Sequence, residues 1–88
     1  LLLACLFLLT PLHAALDRPK LQIINGSSQA VDVFWINDKG ERVPNGSVPP
    51  GKDTIISTSL GHRFAVVGRE DKKEDIVTAE VRVQAFRV

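Results

Sequence analysis

The chain has 88 residues, 11 basic and 10 acidic, with a formal net charge of +1. That length holds one domain at most. The two charge signs are mixed and form no basic stripe, which argues against a nucleic-acid surface and against docking on an anionic membrane.

In chain order, Leu1 to Leu16 carry no charge, and the run "LLLACLFLLTPLHAA" is apolar until Pro11 and the small residues after it. This is the pattern of a secretory signal peptide without its basic start. It is shorter than the roughly 20 apolar residues a spanning helix needs. Residues 1–15 are therefore read as a truncated signal peptide, cut after Ala14 or Ala15, which makes the product secreted, periplasmic or extracellular and leaves no membrane contact after cleavage. "LLAC" at Leu2–Cys5 matches a lipoprotein box, but the apolar "LFLLTPL" that follows the cysteine argues against lipidation. The chain lacks an initial Met and stops at Val88 beside a strand pattern, so it is expected to be the N-terminal part of a longer chain with a downstream domain.

Residues 16–20 read as an entry linker and residues 21–88 as the domain. "LQII" begins a strand, and "NGSSQ" at Asn25–Gln29 is turn chemistry. "AVDVFWIN" at Ala30–Asn37 has apolar residues on both faces of a strand. "NDKGE" is a hairpin turn with Gly40 at the positive-φ position. Arg42-Val43 is a short strand. Pro44, Pro49 and Pro50 exclude a central strand there, because proline has no amide hydrogen to give. "TIISTS" and "HRFAVVG" are two further strands, and "REDKKED" is a solvated loop. In "IVTAEVRVQAFRV", Val77, Ala79, Val81, Val83 and Ala85 alternate with Thr78, Glu80, Arg82 and Gln84, which is strict period two. The expected strands are 21–25, 30–37, 53–59, 63–67 and 76–87, with no helix after residue 20. Together they predict an all-β fold, a small antiparallel β-sandwich.

The leader removed, no cysteine remains and His62 is the one histidine, so neither a disulfide nor a two-histidine metal site can form. No metal or cofactor is expected. No nucleophile sits in a strained glycine elbow, and the sequence near His62 offers no second titratable group, so the fragment is read as non-enzymatic. "NGS" at Asn25 and at Asn45 matches the glycosylation acceptor pattern, and is also good turn chemistry, the reading favoured here. Trp35 and Phe64, taken singly, read as core anchors, and His62 as a hydrogen-bonded structural residue. Taken together, Trp35 and Phe64 supply flat apolar walls, while Thr58 and His62 supply a hydroxyl and an imidazole. That is how a small polar-tipped group is held. Only Ser59, Leu60 and Gly61 separate Thr58 from His62, so their two strands are expected to pair as neighbours.

The ordered set "VDVFWINDKGERV…VPPGKDTIISTSLGHRFAV" resembles the von Hippel–Lindau β-domain family. The marks are a Trp-x-Asn before a glycine-containing turn, Val-Pro-Pro-Gly, an Ile-x-Ser/Thr strand and Gly-His-x-aromatic, aligned without a gap from Trp35 to Phe64. The resemblance spans Leu21 to Phe86 and is weakest after Val67. It implies a sandwich that captures a peptide carrying 4-hydroxyproline, with a serine and a histidine reading the hydroxyl among aromatic walls. By position, Trp35 is one wall and Phe64, in place of a tryptophan, the other. Thr58 stands for the serine, and His62 matches directly. Asn45 falls where the family has a tyrosine, which removes one aromatic wall. The α domain that recruits a ubiquitin-ligase adaptor in the eukaryotic protein has no counterpart here, and a secreted chain excludes that role. The secreted, mainly bacterial relatives fit better. Two readings stand: a binding module for a peptide or protein ligand, hydroxyproline-containing by resemblance, or a structural domain packed against a downstream catalytic one. They differ in whether His62 is partly exposed beside Trp35 or buried and bonded to backbone.

Overall fold

The computed structural model describes residues 18–88. The leader, its cleavage site and Leu16–Asp17 of the linker lie outside the described residues. Seven strands form the fold: β1 Lys20–Ile24, β2 Val31–Ile36, β3 Arg42–Val48, β4 Asp53–Ser57, β5 Arg63–Gly68, β6 Glu74–Thr78 and β7 Val83–Arg87. No helix occurs among the described residues. The strands make two sheets, ordered β4-β1-β7 and β3-β2-β5-β6. The all-β, two-sheet expectation holds, and each expected strand except the last lies within two residues of an observed one.

Alternation explains the core. On β1, Leu21 and Ile23 point inward, and on β2, Val31 and Val33 do. Val48, Phe64, Val66 and Val77 complete the buried cluster, with Trp35, Ile56, Phe86 and Val88 packed against it. β3 carries Pro44 and lies at a sheet edge, where a residue without an amide hydrogen breaks no ladder. It runs longer than the two residues expected for it. The β2–β3 turn closes as read: the Gly40 amide donates to the Asn37 carbonyl at 2.9 Å, and Gly40 has φ +77°.

Three expectations are corrected. The run 76–87 is not one strand. It breaks between Thr78 and Val83, so that β6 belongs to the four-stranded sheet and β7 to the other. Gln84 holds the crossover: its Oε1 accepts from the Glu80 amide at 2.8 Å and its Nε2 donates to the Thr78 carbonyl at 2.9 Å. The break also shifts the phase. In β7, Gln84 and Phe86 stand opposite the buried Leu21 and Ile23, while Val83 is 82% exposed. The apolar stripe expected to continue inward through Val83 and Ala85 thus faces outward. Second, the sheets are not wholly antiparallel, because β7 runs parallel to β1. A chain that crosses from one sheet to the other between consecutive strands can enter in either direction. Third, the strands flanking Ser59–Gly61 do not pair: β4 pairs with β1, and β5 with β2 and β6.

One polar residue is fully enclosed. Asn25 has no exposed surface. Its Nδ2 donates to the carbonyls of Gln29 at 2.7 Å and Val48 at 2.9 Å. Its Oδ1 accepts from the Ser27 amide at 3.0 Å and the Ser27 hydroxyl at 2.6 Å. Both amide hydrogens are engaged, so Asn25-Gly26-Ser27 is a turn, and its amide is closed to modification in the folded state. An unmade hydrogen bond at a buried site costs about 1–3 kcal/mol. Asn25→Ala should therefore lower stability by about 2–3 kcal/mol in urea unfolding. Asn25→Asp should be worse, because a carboxylate cannot donate to the two carbonyls. An Asp variant as stable as the wild type would contradict this account.

The surface carries exposed ion pairs. Arg69 Nη2 donates to Asp32 at 2.7 Å, and Arg42 pairs with Glu74 through both guanidinium nitrogens. The Arg69 hydrogen bond holds the Asp32 carboxyl below its ordinary value, and the Arg42 hydrogen bond does the same for Glu74. Asp71 is also lowered, chiefly by the Lys73 amide, which donates to it at 2.8 Å. A carboxyl lowered in the folded state stabilises above its unfolded value, near pH 4, and that contribution is lost as pH falls through the folded value. Urea midpoints should hold from pH 7 to about 5 and then fall below about pH 4. Midpoints unchanged at pH 3 would contradict it.

Candidate functional site

The two sheets are fastened at the Asn25 end and part at the other. There they leave a cleft of about 280 Å³, and Trp35, Asn45, Thr58, His62 and Phe64 all line it. The sequence singled out these same five. Arg18, Val43, Ile56 and Ser57 line it as well.

Each side chain arrives by a different device. Trp35 on β2 stands in register with Phe64 on β5 and Val43 on β3, so the three share the inner face. Phe64 is 2% exposed and belongs to the core, so it forms the floor of the cleft rather than an open wall. Asn45 owes its direction to a bulge. The β2–β3 register runs Asp32↔Ser47 and then Phe34↔Pro44, which leaves Val33 opposite both Asn45 and Gly46. The extra residue reverses the parity of β3, and so Asn45 and Val43 turn inward beyond it. Gly46 has φ +95° with nothing near its would-be Cβ, so glycine is there for conformation and not for space.

Thr58 continues the inward face of β4 after Thr54 and Ile56 and is 3% exposed. Its amide donates to the Pro19 carbonyl at 3.0 Å, which draws the segment before β1 to the cleft. The chain then turns: the His62 amide donates to the Ser59 carbonyl at 3.1 Å, and the His62 carbonyl accepts from the Ala79 amide at 2.9 Å. Thr58 and His62 thus meet through a turn between sheets, not through the strand pairing expected. Thr58 Oγ1 lies 3.4 Å from His62 Nδ1. The His62 ring is half-buried, with its centroid 5.6 Å from that of Trp35 at an interplanar angle of 38°.

The lining is rich in hydrogen-bond donors: a guanidinium, an amide, two hydroxyls and an imidazole, beside aromatic and aliphatic surface. Among the described residues no carboxylate lines the cleft, so none of them supplies the Thr58–His62 contact with a third group to orient the imidazole as a base. Among the described residues no group of three or more His, Cys, Asp or Glu could hold a metal ion. Sequence reading missed Arg18 because it sits in what reads as linker. The Thr58–Pro19 hydrogen bond and the β1–β4 pairing beside it, contacts remote in sequence, bring it to the cleft. Among known proteins, no family model and no curated protein matches this chain.

Trp35 Nε1 is buried, and no described group accepts its hydrogen. Trp35→Phe keeps an aromatic ring and removes that donor, so thermal unfolding followed by circular dichroism should show a loss under about 1 kcal/mol. Trp35→Ala should cost about 3 kcal/mol. Equal losses would show that the indole nitrogen is satisfied in solution.

Proposed function

We propose that this domain is a secreted, non-enzymatic binding module whose cleft holds a hydroxyl-bearing residue of a peptide, with 4-hydroxyproline the residue that fits. One observation carries the reading. His62 is half-buried beside Trp35, its ring makes no hydrogen bond to backbone among the described residues, and its side-chain partner is the buried Thr58 hydroxyl. In this reading the pyrrolidine ring lies on Trp35 over the Phe64 floor, and the ring hydroxyl is exchanged between Thr58 and His62. Asn45 supplies an amide at the rim where the resembled family has an aromatic wall, so binding is weak. The family resemblance of Trp35, Thr58, His62 and Phe64 supports the choice of ligand, and the apolar leader supports an extracytoplasmic location.

A second reading has its own support. Val83 is 82% and Ile55 63% exposed on the outer face of the three-stranded sheet. Apolar side chains in that position suit a structural domain packed against a downstream one.

Titration of the domain with matched hydroxyproline and proline peptides, followed through the fluorescence of Trp35, tests the first reading. Leaving a hydroxyl-binding pair unmatched costs about 1–3 kcal/mol, so the hydroxyproline peptide should bind about tenfold tighter. His62→Ala should erase the preference and leave the fold intact. Equal affinities, or no binding at millimolar peptide, would reject hydroxyproline recognition. An unfolded His62→Ala domain would favour the structural reading.

A further inference from the structure

The charge around the cleft is one-sided. Of the described residues lining it, Arg18 alone carries a formal charge, and no aspartate or glutamate is among them. Elsewhere on the surface, Arg42 and Arg69 are each matched by a carboxylate. Arg18 has no such partner among the described residues. The backbone beside it is held at the cleft, because the neighbouring Pro19 carbonyl accepts the Thr58 amide at 3.0 Å. Lys20, two residues along, lies instead on the outer face of the three-stranded sheet, where its Nζ donates to Ser57 Oγ at 2.6 Å.

We infer that the peptide this cleft takes is acidic, with a carboxylate next to its hydroxyl-bearing residue paired to Arg18. The inference rests on the binding reading above and names the ligand's charge. A guanidinium offers two parallel N–H groups that match the two oxygens of a carboxylate. An exposed cation of this kind speeds encounter and selects among partners more than it adds affinity, and salt screens it. The carboxylate has two sources, an aspartate or glutamate side chain or the carboxyl end of a short peptide.

The test uses the full chain and hydroxyproline peptides flanked by either glutamate or glutamine, each with a free and an amidated C-terminus. At low salt the glutamate peptides should bind about fivefold tighter than the glutamine peptides, and 0.5 M salt should reduce that to less than about twofold. Arg18→Gln should remove the advantage, and Lys20→Gln, on the outer face of the three-stranded sheet, should leave it. Arg69→Gln, at a site paired with Asp32 away from the cleft, should keep it. If the advantage follows the free C-terminus and not glutamate, and Arg18→Gln still removes it, Arg18 takes a terminal carboxylate. Glutamate and glutamine peptides that bind equally in both terminal forms, or an advantage that survives Arg18→Gln, would overturn the inference. If the neutral, amidated hydroxyproline peptide still outbinds its proline match, the cleft reading stands without an acidic ligand. If no peptide binds at millimolar concentration, both fall.

Discussion

Asn25 sits where β1 ends, and its side chain spends its whole hydrogen-bonding capacity on three other parts of the chain. Two acceptors are the Gln29 carbonyl, just before β2, and the Val48 carbonyl at the end of β3. Its backbone adds to this, since the Asn25 amide donates to Lys52 and the Gly51 amide donates to Asn25, both at 2.9 Å. One residue of the three-stranded sheet thus holds the edge and the entry of the four-stranded one. A buried polar residue is costly unless every group is satisfied, and one that is satisfied fixes a single arrangement of its partners. In so small a domain this tie does work that the apolar cluster, short of large side chains, does less specifically.

A sandwich fastened at one end can part at the other. β1 leaves Asn25 toward Lys20, and β2 leaves Val31 toward Trp35, so cleft and clasp lie at opposite ends, a strand length of about 15 Å apart. The Ser59–His62 turn carries the chain from β4 in one sheet to β5 in the other, and residues 79–82 carry it back to β7. Both crossings meet where the Gly61 amide donates to the Ala79 carbonyl at 2.8 Å and the Ala79 amide to His62. The histidine backbone is therefore pinned by the same bonds that let the chain change sheets. In the binding reading proposed above, a backbone already held in place would lower the ordering cost of binding.

What the sequence made legible follows from what a period of two encodes. Alternation located nearly every strand, and turn chemistry placed the Gly40 hairpin and the Asn25 loop. The five residues found around the cleft were chosen by chemistry and by family resemblance, and their convergence did not require the right pairing. Pairing itself was not legible. "SLG" between Thr58 and His62 is short enough for a hairpin and also for a corner between sheets, and the alternation on either side is the same in both cases. The run from Ile76 to Phe86 shows the same blindness more sharply. Its pattern is unbroken while its strand is broken, because Gln84 turns inward to cap the crossover and Phe86 takes the core place that Val83 and Ala85 were expected to hold. Arg18 was invisible for a related reason, since its relation to the cleft passes through Thr58, far along the chain.

The cleft and the clasp are linked in one further way. Thr58 is 3% exposed, and its hydroxyl has only a long 3.4 Å contact with His62; Trp35 Nε1 is buried without an acceptor. Both are polar groups held out of water with less than their full complement of hydrogen bonds, a state that disfavours folding by about 1–3 kcal/mol per group. A sequence selected for stability alone would place apolar side chains there, as it does at Val33 and Val66 one row deeper. At the Asn25 end, polar burial is fully satisfied and stabilises; at the cleft it is incomplete and destabilises. In the binding reading proposed above, the hydrogen bonds that the fold leaves weak are the ones a ligand's hydroxyl would strengthen. The two ends of the sandwich therefore differ in kind: polar burial is fully bonded at the Asn25 end and only partly bonded at the cleft.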